Sequence, residues 1–598
     1  MSKFSKTKFV LILLTALFLA NNAFGRVKIT NANKMEIWRQ ATFGMFIHWG
    51  VYSYLGGIWH GQAVKGYSEH IFRSMKIPLK VYREEVIKKF NPVDFNAEEW
   101  LDILQQAGMR YMVITAKHHD GFAMWDSKVT DYDIVDMTPF KRDPMRELRD
   151  ACKKRGILFG FYYSHAQDWS HPWGQRNQWD FGHPQPNKRR WWEDKKWAAY
   201  LDKAWIYVRQ KSIPQLRELI LNYDPDILWF DTQAWLPPQM TREIVLEARR
   251  LKPELIINSR GTPGIYDYKS TNDRPIDFPP TDEKYWEAIP TTNESYGYHA
   301  MDHSHKPPSF FIRLLAKAAA RGGNLLMNVG PMGNGKIDPR DVAILKGIGD
   351  WLKVNGQAIY GVQRTPLPVQ AWGQTTVRGN ILYLHIFQWP KDGQLVLGGL
   401  KSKVQKVWLL ADARQNGLPF VRINELDWRI SLPPSAPDTV NTVVAVQCSD
   451  AVRADSVRLL ATNVAVNELH VFDGKLHGKG IKYGSGNHKS NFILHWSNPQ
   501  SYVSWSVRLN EAARFRVEMI NSADERSAGN KFLLQIADHE IEGVVQKGKY
   551  RRFYLGEVAL KAGRFTIAVR PLFIRQGNLM HLTKLRLIPL PAGREKVQ

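Results

Sequence analysis

The chain has 598 residues, 44% hydrophobic and 23% charged, a globular composition that excludes a disordered or fibrous protein. Only two cysteines are present, Cys152 and Cys448, which excludes a disulfide framework and a zinc site built from cysteines alone. A net charge of +25 favours polyanions, but the sequence has no zinc finger, RNP pattern or isolated basic tail, so nucleic acid is not the expected partner.

Residues 1–25 read as a secretory signal. Lys3, Lys6 and Lys8 form its positive end, an apolar run covers 9–20, and Ala23 and Gly25 supply the small residues of a cleavage site. That run is too short to cross a bilayer comfortably, and no later apolar run reaches transmembrane length. The expectation is an exported protein, periplasmic or extracellular, without membrane insertion. Loss of the three signal lysines leaves +22, a charge that suits sulfated or uronic polysaccharide as well as a merely basic surface.

From 26 to 361, apolar β-like runs alternate with helical ones. Strands are expected at 43–47, 110–116, 157–163, 227–230, 255–258 and 324–329. Helices are expected after Asn96, whose side chain and Glu99 form a capping box, and at 143–153, 214–222, 240–251, 310–320 and 339–354. Repeated β-then-α units indicate a parallel sheet. His48, His118, His119, Asp231 and Arg260 all fall just past strand C-termini. A (β/α)8-type barrel gathers those ends around one mouth, and this favours the barrel over an open sheet. The segment 165–205 interrupts the rhythm. It holds seven Trp and the cations Arg176, Lys188, Arg189, Arg190, Lys195, Lys196 and Lys203. Long loops of this kind are usually functional. This one follows the third strand and is expected over the mouth, where Trp faces stack sugars and cations pair with sulfates, or where both merely pack and solvate the loop. After 361, short β-branched runs predict two C-terminal β-sandwich domains, at 362–450 and 451–598. The second is an expected accessory carbohydrate-binding module, with Trp496 and Trp505 as its aromatic features, or a structural domain.

Three clusters can carry chemistry: FGMFIHWG at 43–50, KHHDGFAMW at 117–125, and ILWFD ending in Asp231. Three His with Asp231 suffice in number for a zinc site. Neutral His residues bonded to sugar hydroxyls explain the same pattern without a metal, and no metal or cofactor is expected.

These strings, with GGNLLMNVGP at 322–331 and GDWLKVNGQAIY at 349–360, resemble glycoside hydrolase family 29, the α-L-fucosidases, over about residues 35–447. The resemblance implies an exo-acting retaining enzyme that removes terminal α-L-fucose from fucosylated glycans, sulfated ones included. Retention needs two carboxyl groups about 5–5.5 Å apart. Asp231 matches the family nucleophile, and Arg260 is expected to help keep its pKa low. Asp273 and Glu287 match the family carboxyls among which the acid/base is sought; Asp273 is favoured and Glu287 is read as a positioning residue. His48, His118 and His119 match contacts to fucose hydroxyls. Glu69 lies in Ser-Glu-His, where the family has Ser-Glu-Trp, so His70 departs from the pattern. Tyr163 and Trp229 complete the expected sugar contacts. The same fold acting on a related sugar such as α-L-galactose, or a non-catalytic carbohydrate-binding protein, are the alternatives; a missing acid/base would mark the latter.

Overall fold

The computed structural model describes residues 31–591; the expected signal at 1–25 lies outside them. Eight parallel strands form the first sheet. In chain order they are β1 (Phe43–Ile47), β2 (Tyr111–Lys117), β3 (Leu158–Tyr163), β4 (Ile227–Phe230), β5 (Ile256–Ile257), β6 (Lys269–Asp273), β7 (Trp286–Ile289) and β8 (Asn324–Val329). Their spatial order is β5-β4-β3-β2-β1-β8-β7-β6. A single parallel bridge, Asn258 to Tyr268, joins the two ends of that order. Helices α1 (Ala97–Gln106), α2 (Pro144–Arg155), α3 (Ile213–Tyr223), α4 (Pro238–Leu251), α5 (Pro308–Ala320) and α6 (Pro339–Asn355) accompany the strands. Between β5 and β6, and between β6 and β7, the connections carry no helix.

Local sequence accounts for the helix limits. Asn96 accepts from the backbone N–H groups of Glu98 and Glu99 at 3.0 and 3.2 Å, capping α1, a contact worth ~1 kcal/mol. Asp143 caps α2 with Pro144 at its first turn, and Gly156 ends it at φ +66°, where a side chain would be strained.

Strand residues alternate between two cores, as a period of two requires. Phe43, Met45, Ile47, Met112, Ile114, Phe161, Tyr163, Leu228 and Phe230 belong to the large cluster shared with the helices. Phe46, Tyr111, Val113, Tyr162, Trp229, Tyr268, Ile289 and Leu326 form a separate, aromatic cluster inside the sheet's curve. This alternation decides which strand-end residues reach the mouth.

Two strands, β6 and β7, were not expected. β6 reads KSTND and is polar along its length, because one side meets the cleft rather than a core. β7 has only four residues, too few for a clear pattern.

Two β-sandwiches follow. The first pairs a sheet of Gly373–Arg378, Ile381–Ile386, Thr442–Cys448 and Val404–Leu409 with one of Gln394–Gly398, Asp427–Ser431 and Phe420–Arg422. The second is built on Tyr502–Leu509, Gly563–Phe573 and Lys531–Ile536 against Asn467–His470, His581–Pro589, Ala513–Ala523 and Gly548–Leu560. Trp496 and Trp505 are buried in its core, so neither is an exposed stacking platform. The fully buried Asp427 receives Arg508 Nη1 at 2.7 Å and ties the sandwiches together. Arg321 to Asp473, at 2.8 Å, ties the last domain to the barrel. Both cysteines are buried and free.

Candidate active site

A cleft of about 580 Å³ opens at the strand C-termini, within the usual range for a ligand site. Phe46, Tyr162 and Trp229, inward-facing members of the aromatic cluster, line it with His48, His70, His118 and His119.

Asp231 follows β4. Its Oδ1 accepts from Arg260 Nη1 at 3.0 Å and from the Thr232 N–H at 2.9 Å; its Oδ2 accepts from the Tyr162 hydroxyl at 3.1 Å. His119 Nε2 lies 3.6 Å from the same oxygen. Asp273 ends β6, and its Oδ1 accepts from Arg260 Nη2 at 2.9 Å. One guanidinium therefore holds both carboxylates, and it also lies over the Trp229 ring at 4.9 Å. Burial raises the pKa of Asp231, Arg260 opposes that, and the net shift is upward. The expectation that its pKa stays low is corrected: desolvation exceeds the pull of Arg260. For Asp273 burial also pushes upward, but the Arg260 charge and hydrogen bond outweigh it and hold the carboxyl below its ordinary value.

Glu287 is not in the cleft. It is fully buried among the inward aromatics, where its oxygens accept from the Tyr111 hydroxyl at 2.9 Å and Trp229 Nε1 at 3.1 Å. Burial lifts its pKa to about 7. As the alternative to Asp273 for the acid/base it is corrected, and its place behind Trp229 fits a positioning residue. Tyr163 is corrected likewise. It points outward, donating to the Ser212 carbonyl at 3.2 Å and Gln215 Oε1 at 3.1 Å, and its neighbour Tyr162 faces the cleft. The sequence YY at a strand end left the choice to the register.

His48, His118 and His119 are buried, His70 is half-buried, and all four are neutral. Burial lowers His48 to about 3 and His70 to about 4, and holds His118 and His119 well below their ordinary value. His48 Nδ1 meets Asn328 Oδ1 at 2.7 Å. Asn328 Nδ2 donates to the Tyr296 carbonyl at 2.7 Å, which fixes the amide so that Oδ1 faces His48. Nδ1 of the neutral ring is then the donor, and Nε2 is left as an acceptor. Nδ1 of His118 is buried with no partner among the described residues. Glu69, also lining the cleft, accepts from the Gly297 N–H at 2.8 Å and Ser295 Oγ at 3.3 Å, while burial raises its pKa to about 7. Ring nitrogens of His70, His118 and His119 lie within 4.8 Å of one another, close enough to hold a metal ion. His70, the departure from the family pattern, rather than His48, completes that trio.

None of the seven Trp in 165–205 lines the cleft; Trp169 and Trp191 are fully buried and the other five pack partly buried on the core. That segment contributes Gln167, Arg176 and Arg189 instead. Two further lining residues, Ser485 and Asn487, come from the last domain, far outside the sequence motifs.

The family model described as Alpha-L-fucosidase matches residues 23–357. Plasma alpha-L-fucosidase of Homo sapiens is 30% identical over 401 residues, covering 62% of this chain and 80% of that protein. A crystal structure of alpha-L-fucosidase from Vibrio sp. strain EJY3 is similar with a TM-score of 0.76 and 27% identity, over 96% of this chain and all (100%) of that one. A GH29 alpha-L-fucosidase from Bacteroides thetaiotaomicron, trapped as a covalent intermediate with 2-fluoro-fucosyl fluoride, is similar with a TM-score of 0.60 and 28% identity, over 70% of this chain and 96% of that one. With this cleft and these matches, the chain belongs to the α-L-fucosidase family, GH29.

Proposed function

We propose that the protein is an exported, exo-acting, retaining α-L-fucosidase that releases terminal α-L-fucose from fucosylated glycans. The observation that carries this reading is the Arg260 fork, which holds Asp231 and Asp273 on adjacent nitrogens of one guanidinium. Two carboxylates sharing one fork lie close together, which favours the roughly 5–5.5 Å spacing of retaining enzymes over the wider inverting one.

In the first step an Asp231 carboxylate oxygen bonds to C1 of the sugar as the C1–O bond to the leaving group breaks. Asp273 supplies the proton that the departing oxygen takes. In the second step Asp273 removes a proton from water, whose oxygen bonds to C1, and the Asp231 carboxylate departs. The Tyr162 hydroxyl and Arg260 orient Asp231 throughout, and Arg260 offsets its charge. His48 Nε2 accepts from a sugar hydroxyl, while His118, His119 and Glu69 supply further polar contacts. Glu287 fixes the indole of Trp229 from behind. Export rests on the signal-like segment at 1–25.

Stereochemistry tests this directly. Hydrolysis of an aryl α-L-fucoside, followed by proton NMR before mutarotation, is expected to give the α anomer of fucose first. The β anomer first would establish inversion, and absence of hydrolysis would reject the activity.

A further inference from the structure

Two guanidinium groups without an ion-pair partner line the cleft, and a third stands near one of them. Arg176 and Arg189 both line it. Arg73, next to the cleft-lining His70 segment, acts on Arg176 together with Arg189, and burial with these two like charges lowers Arg176 to about 10. Among the described residues none of the three has a carboxylate within ion-pair distance, although ion pairs are abundant on the rest of the molecule. Arg176 is half-buried. Its guanidinium lies 4.4 Å over the Trp235 ring, Nη1 reaches Gln167 Oε1 only at 3.5 Å, and Nε is buried with no partner among the described residues. Its backbone is left-handed, at φ +71°, a conformation that is strained for an arginine and that surrounding packing must hold.

A cation placed against its own kind, with an unsatisfied buried N–H, is costly unless an anion completes it. His70 adds to this wall. Where the family pattern has a bulky Trp, the smaller ring brings a nitrogen within 4.8 Å of those of His118 and His119, and the Arg176 charge acts on it.

We propose that Arg176 and Arg189, backed by Arg73, form a subsite for an anionic substituent on the glycan, a sulfate ester or a uronate carboxylate. This rests on the fucosidase reading of the same cleft. Arg176 meets Gln167 and Trp235, whereas Asp273 meets Tyr67 and Arg260. Planar forks that donate to two oxygens suit both anions, and the substituent would select among glycans that share the same terminal sugar.

The test compares kcat/KM for a sulfated fucose-containing oligosaccharide, its desulfated counterpart and a glucuronate-bearing fucoside. Wild type, Arg176→Gln, Arg189→Gln and a control, Lys154→Gln on the outer surface, are measured at low salt. We expect wild type to favour one of the anionic substrates over the neutral one by at least tenfold. Each arginine variant is expected to reduce that ratio about tenfold, and the control to leave it unchanged. Which anionic substrate leads decides between sulfate and carboxylate. Arg189 is exposed, so its variant reads the subsite even if Arg176→Gln disturbs the loop. Equal kcat/KM for all three substrates, or a ratio untouched by Arg189→Gln, would overturn the proposal. Loss of hydrolysis on every fucoside, the simple aryl fucoside included, would instead reject the fucosidase reading; calorimetric binding of the sulfated oligosaccharide to wild type and Arg189→Gln then decides the subsite alone.

Discussion

Asn487, in the last β-sandwich, forms an antiparallel bridge with Pro275, two residues after Asp273. The Ile276 N–H also donates to the Gly486 carbonyl at 2.8 Å. The last domain thus holds the strand end that carries Asp273 and supplies part of the cleft wall. Gly486 has φ +85°, and a Cβ there would meet the Asp277 carbonyl at 2.1 Å, so Gly486→Ala must push the loop off the barrel. We expect this variant to change the relative kcat/KM for fucosylated disaccharides of different linkage severalfold. A chain ending at Asp450 loses the loop and the Arg321–Asp473 tie, and is expected to be impaired on aryl fucoside as well as polymer. Unaltered linkage preference in Gly486→Ala would show that the loop only supports the barrel.

Asp231→Ala is expected to fold normally, since the side chain sits at the cleft and Arg260 keeps its bonds to Asp273 and the Thr271 carbonyl. Its kcat on an aryl fucoside should fall by several orders of magnitude, with partial recovery in azide, which fits the vacated space and attacks C1. Near-wild-type activity of the variant would exclude Asp231 as nucleophile.

The barrel was legible where hydrophobic periodicity and strand-end polar residues coincide, as at FGMFIHWG and ILWFD. The polar strand β6 was not, because a strand facing a cleft loses its apolar alternation. The register of two adjacent tyrosines was also beyond the pattern: Tyr162 and Tyr163 differ only in which face of β3 they occupy. Glu287 follows Trp286 in a motif that reads as functional, but a carboxyl satisfied by buried phenol and indole donors is indistinguishable in sequence from one facing substrate. The aromatic loop 165–205 was visible, whereas its division into buried Trp and cleft-lining Arg emerges only from packing. Ser485 and Asn487 carried no signal, since no motif links them to residues two hundred positions earlier.

Asp273→Asn and Glu287→Gln separate two roles. Loss of the general acid hurts most where the leaving group most needs a proton. Asp273→Asn should therefore lose far more activity on a natural disaccharide than on an aryl fucoside with a good leaving group, whereas Glu287→Gln should affect the two alike. Because Arg260 holds the free Asp273 carboxyl down, the wild-type kcat/KM on the disaccharide should decline with rising pH from an acidic optimum. A leaving-group dependence seen only in Glu287→Gln would exchange the two assignments.

The histidine trio gives a metal test. Both proposed catalytic groups are carboxyls, so chelation should leave kcat on aryl fucoside unchanged. Zinc can bind three neutral imidazoles, and His70, His118 and His119 occupy the sugar wall, so added zinc should act as a competitive inhibitor, relieved in His70→Phe. Activity lost on chelation and restored by a divalent ion would contradict the carboxyl mechanism.

Glu287 also predicts how stability varies with pH. Its folded pKa, about 7, stands above the ordinary value of 4.5 because burial disfavours the charged form. A carboxyl raised on folding binds its proton more tightly in the folded state, so its contribution is fully present below the unfolded pKa and is lost as pH rises through the folded one. The window is therefore pH 4.5 to 7, and the loss across it is on the order of 3 kcal/mol. Glu69, also raised to about 7, acts in the same direction. His48 and His70, lowered to about 3 and 4, act oppositely, losing stability as pH falls below their ordinary value of 6.5. The wild-type curve alone mixes these terms, and the difference between wild type and Glu287→Gln isolates one of them. Urea unfolding of both at pH 4.5, 6 and 8 should show the wild type losing ground to the variant as pH rises. A difference that is constant with pH would mean that Glu287 stays in one protonation state across the range, its phenol and indole donors holding the charge that burial opposes.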